Sequence, residues 1–63
     1  MTQSYKFHTE TAARELLNGK HVSAARRITE QGIRTKDVED VMEAAGVPDH
    51  AIIAYISEAL RAM

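Results

Sequence analysis

The chain has no cysteine, no tryptophan and a single proline, and aromatic side chains make up only 5% of its 63 residues. Without cysteine there is no disulfide framework, no thiolate zinc site and no thiol nucleophile. At this length folding buries roughly 60% of the surface that the unfolded chain exposes, so the core is marginal by itself. Support from a second molecule is therefore an expectation from the outset. No apolar run approaches the roughly 20 residues that span a bilayer, and the first residues lack the basic segment and apolar stretch of a secretion signal. The expectation is a soluble, cytoplasmic protein with no membrane contact.

Glycine is also scarce, and its three positions are informative. Asn18-Gly19, Gly32-Ile33 and Gly46-Val47-Pro48 each follow a stretch with helical spacing of apolar residues. Glycine takes the left-handed conformation that closes a helix, and the apolar residue after Gly32 and Gly46 suits the capping contact of such a stop. The chain therefore reads as all-α: a compact bundle of about four short helices joined by glycine-containing turns, arranged as two helical hairpins. Residues 1–8 show no clear period and read as an N-terminal arm. Residues 9–63 read as a single helical domain.

Thr9 suits the cap of a first helix reaching Asn18, with Ala13, Leu16 and Leu17 on one stripe. Ser23 suits the cap of a second ending near Gln31, thin in apolar bulk, with Arg26 and Arg27 pointing outward. Thr35 opens a third, in which Val38, Val41, Met42 and Ala45 stand at i, i+3, i+4 and i+7. Its opposite face holds Lys36, Glu39, Asp40 and Glu43. Pro48 fits the first turn of a fourth helix, along which Ile52, Ile53, Ile56, Leu60 and Met63 form one stripe. Ala51, Ala54, Tyr55, Ala59 and Ala62 widen that apolar arc beyond what one neighbouring layer covers. A helix so apolar is either central in its fold or covered by another molecule.

Chemistry is poorly supplied. His8, His21 and His50 are scattered over an arm, a turn and a helix start, and none has a ligand-type companion three or four residues away. No metal site, cofactor or small-molecule substrate is expected. Glu39, Asp40 and Glu43 form a carboxylate cluster, but they lie opposite the apolar stripe, away from the burial that would tune a pair for acid–base work. Three isolated glycines make no phosphate-binding loop. The chain is not expected to be an enzyme.

Charge is divided along the chain. Residues 1–36 carry seven cations against three carboxylates, and residues 37–63 carry six carboxylates against Arg61 alone, giving +4 and −5. Such a division steers charged partners.

From Asp40 to Ile56, Val41 and Met42, then Gly46 and Val47, then Ile53 and Ile56 resemble a helix-turn-helix motif, over roughly a third of the chain. That resemblance implies a dimeric DNA-binding regulator paired through the C-terminal helix. Where base- and phosphate-reading side chains belong, however, stand Asp49, His50, Ala51, Ala54 and Tyr55. An acidic helix ahead of them repels phosphate. A register centred on Gly32 supplies Arg34 and Lys36 but puts Arg27 and Gln31 at apolar positions. A basic patch for DNA would comprise Arg26, Arg27, Arg34 and Lys36.

The leading expectation is a non-catalytic helical module, an adaptor, inhibitor or regulator of the size phages and plasmids encode. Its partner would be another protein or a second copy in a homodimer. Tyr55, Ile52 and Ala59 are the expected contact residues, with Tyr55 as aromatic anchor and Glu39, Asp40 and Glu43 as a steering rim.

Overall fold

Each glycine ends a helix. Gly19, Gly32 and Gly46 have φ of 79°, 63° and 89°, in the left-handed region. At Gly32 the amide of Ile33 reaches back to the Ile28 carbonyl at 2.9 Å, and at Gly46 the amide of Val47 reaches the Met42 carbonyl at 3.1 Å. These six-to-one bonds satisfy carbonyls that the helix end would otherwise orphan. The residue after each of these two glycines turns inward: Ile33 is buried and Val47 packs on the core. The computed structural model describes residues 3–63. It contains four helices, α1 (Gln3–Leu17), α2 (His21–Gln31), α3 (Thr35–Ala44) and α4 (Asp49–Ala62). The fold is all-α, as the glycine spacing predicts.

The helices pair as two hairpins laid against each other. α1 packs most extensively on α2, while α3 crosses α1 and α4 crosses α2. Leu16, Val38 and Met42 are the largest fully buried side chains, and Ile28, Ile33, Ile52 and Ile56 close the core around them. Ala24 and Ala25 on α2 and Ala59 on α4 are buried as well. Their missing bulk lets the helix backbones come close, so apolar area is buried without long side chains. No helix among the described residues is long and apolar enough to cross a membrane.

The helix starts differ from expectation. α1 begins at Gln3, so residues 3–8 are helix and not an arm; residues 1 and 2 lie outside the described residues. Thr9, expected as a cap, is buried mid-helix and donates its hydroxyl to the Tyr5 carbonyl at 2.7 Å. Tyr5 then anchors the added turn: its hydroxyl donates to Asp37 and accepts the Arg34 amide at the start of α3. Ser23 is also interior, because α2 starts at His21 and the Ser23 hydroxyl goes to Glu15 on α1. Neither α2 nor α3 has a side-chain cap, and Pro48 precedes α4 as its cap residue. The Thr9 hydroxyl is taken by a carbonyl one turn back in its own helix and the Ser23 hydroxyl by a carboxylate on another helix, so neither serves as a cap.

Candidate functional site

α4 divides its apolar residues into two sets. Ile52, Ile56 and Ala59 face the core, with exposures of 5%, 7% and 1%. Ile53, Leu60 and Met63 stay in water, at 66%, 51% and 59%. Ile53 and Leu60 are seven residues apart, two turns along one helix face. Two of the expected contact residues are thereby corrected. Ile52 and Ala59 are core, because α1, α2 and α3 cover that side of α4. Tyr55 is half-buried and packed on the core as well. It lies about 160° around the helix from Ile53, on the opposite flank. The outward strip exists, but Ile53 and Leu60 form it.

The acidic residues meet this strip. Glu39, Asp40 and Glu43 of α3 and Asp49 at the start of α4 line an open groove of about 300 Å³ between the two helices, floored by Ile52 and Ile53. Lys36 stands at one end and pairs with Asp40 at 3.3 Å. Glu39, Glu43 and Asp49 have no ion-pair partner among the described residues. The groove therefore keeps three uncompensated carboxylates around an exposed isoleucine. Asp49 also sits in the first turn of α4, where the helix dipole favours it. Sequence reasoning missed Asp49 as a member of this set, and the Gly46–Pro48 turn, which folds α4 back along α3, is what brings it there.

The basic residues are arranged differently. Arg27 points inward, not outward, and its guanidinium forks onto Glu15 of α1 with Nε and Nη2 at 3.2 and 3.3 Å from the two carboxylate oxygens. Arg27 Nη1 donates to His8 Nδ1 at 2.6 Å, and Ser23 Oγ donates to Glu15 at 2.8 Å. Burial pushes the Glu15 carboxyl up. The hydrogen bonds from Arg27 and Ser23, with the charges of Arg27 and Lys20, outweigh burial and hold it below its ordinary value. Of the expected cationic patch, Arg26 and Arg34 remain exposed and unpaired among the described residues, while Arg27 and Lys36 are engaged.

A second groove, of about 250 Å³, runs between α1 and α3 over Ala13, Leu17, Val41 and Ala45. Glu10 and Arg14 stand together on its rim, so its charges cancel. His8 is held by Arg27, and among the described residues no three of histidine, aspartate and glutamate gather as metal ligands would. The α3–α4 groove combines a net negative charge, with Lys36 its one cation, and exposed apolar surface at Ile53. No family model, curated protein or solved structure matches the chain.

Proposed function

We propose that the protein is a small, non-catalytic, cytoplasmic binding module, an adaptor, inhibitor or regulator that acts by occupying a surface of another protein. One observation carries this reading: Ile53 and Leu60 form an exposed apolar strip on α4, edged at Ile53 by an acidic wall in which Glu39, Glu43 and Asp49 have no ion-pair partner among the described residues. Exposed isoleucine in so small a domain adds nothing to its own core. It supplies the apolar centre, and Glu39, Glu43 and Asp49 the charged rim, of a protein contact.

DNA binding through a helix-turn-helix is the competing reading, and the charge arrangement disfavours it. Arg27 is held by Glu15, Lys36 by Asp40, and α4 carries no cation before Arg61. Duplex binding that weakens steeply with salt would revive it.

Affinity capture from the native host, run in parallel with wild-type protein and an Ile53→Lys variant, tests the leading reading. A partner retained by the wild type and lost by the variant supports it. Equal recovery by both removes α4 as the contact. Sedimentation at increasing concentration separates an external partner from a homodimer.

A further inference from the structure

Resting on that reading of α4, we infer the chemistry of the partner: a helix whose apolar side chains recur every seven residues and are flanked by lysine or arginine. Two features of the apolar strip and the groove beside it specify it. The first is spacing. Ile53 and Leu60 are both exposed and stand about 10 Å apart along α4, at 1.5 Å per residue. A helix laid alongside meets both with its own residues i and i+7, the pattern of helix-in-groove recognition.

The second feature is charge. Asp40 is answered by Lys36, which leaves Glu39, Glu43 and Asp49 around Ile53 with no cation of their own among the described residues. An acidic or neutral helix docked here would bring these carboxylates into a drier setting unpaired, which costs free energy. A cationic helix relieves their mutual repulsion and gains charge-assisted hydrogen bonds. Charge thus selects among the amphipathic helices that the apolar strip would accept.

A second copy of the chain fits less well. Its exposed apolar residues with nearby cations are Phe7 and Leu17 around Arg14 on α1, where Glu10 intervenes on the same face, and Val22 beside Arg26 on α2, where position 29, seven residues on, is a threonine. Docking α1 of one copy into the groove of the next is also heterologous. It leaves a free groove at one end and propagates a chain.

The test uses two amphipathic helical peptides of about 18 residues, long enough for two apolar repeats. One has a leucine stripe with lysine elsewhere; its twin carries glutamate at every lysine position. Each is titrated into isotopically labelled protein while backbone amide resonances are followed. The lysine peptide should shift the amides of Glu39, Glu43, Ile53 and Leu60, and bind at least tenfold more tightly than its twin. Raising salt to about 0.5 M should weaken it at least tenfold. So should Ile53→Lys, whose folding is checked by circular dichroism. If both peptides bind equally and both are lost with Ile53→Lys, the cationic partner is wrong while α4 remains a docking face. If neither peptide moves these resonances, both the partner chemistry and the docking face are overturned. Mass that grows with concentration in wild type but not in Ile53→Lys makes the occupant a second copy and overturns the inference.

Discussion

The two hairpins treat their charged residues in opposite ways. Across the α1–α2 seam, Glu15, Arg27, Ser23 and His8 bond to one another, so the seam is closed by polar groups that answer each other. Across the α3–α4 seam, Glu39, Glu43 and Asp49 share one sign and Ile53 lies among them in water. The first arrangement holds the fold together. The second contributes little to the fold and leaves an unmet demand for cations. In a domain with so small a core, the open seam is the part free to serve another molecule. Four substitutions test how separate these roles are.

The largest effect is expected on the buried side of α4. Ile52→Ala removes a side chain only 5% exposed, and such truncations cost about 2–5 kcal/mol through lost burial and a residual cavity. For a domain this small that is most of its stability. Urea denaturation followed by circular dichroism would read it as a large fall in midpoint. A small change would mean that the core is not organised around α4, and the division between its faces would collapse.

Arg27→Met tests the closed seam and should cost about 2 kcal/mol at neutral pH, because Glu15 is left partly buried with its main partner gone. The same variant carries a pH signature. In the folded protein the Glu15 carboxyl lies below its ordinary value of 4.5. Its stabilisation is therefore complete above that value and disappears as pH falls through the depressed one. The stability gap between wild type and Arg27→Met should be full at pH 7 and narrow below about pH 4.5. A gap independent of pH would show that Arg27 acts through packing of its aliphatic stem.

A smaller loss, about 1–1.5 kcal/mol, is expected for Gly46→Ala. A Cβ at Gly46 meets no neighbouring atom within 4 Å, so the whole cost is that of holding alanine at φ of 89°. This substitution strains the turn that sets α4 alongside α3 without touching either helix face. Thermal unfolding would measure it, and the circular dichroism of the folded state should be unchanged.

Much of this architecture is legible in the residues. Left-handed glycines leave a strong mark, so the three helix stops and the four-helix count follow from Gly19, Gly32 and Gly46. The helix starts leave a weak one. Thr9 and Ser23 look like caps because hydroxyls favour that role, yet a hydroxyl bonds equally well to a carbonyl one turn back or to a carboxylate on another helix. Which option wins depends on tertiary distances absent from a linear pattern. The direction of Arg27 was hidden for the same reason, since Glu15 is twelve residues away. At the candidate site the acidic set was visible, but its apolar partner was misassigned. Ile52 and Ile53 are adjacent and identical, and only the placement of α1, α2 and α3 against one side of α4 decides which of them is covered.

That adjacent pair provides the finest test, because side-chain chemistry is held constant and only burial differs. Ile53→Lys exchanges a side chain 66% exposed for a solvated cation, and surface changes of this kind stay within about 0.5 kcal/mol of zero. The new ammonium also stands beside the Glu39, Glu43 and Asp49 carboxylates, so any change should lean toward stabilisation, and added salt should weaken that lean. Matched urea denaturations of Ile53→Lys at low and high salt would detect it. A loss approaching that of Ile52→Ala would mean Ile53 is needed inside the fold and the strip is not free surface. A near-zero change, together with loss of peptide binding, would assign stability and recognition to neighbouring residues of one helix.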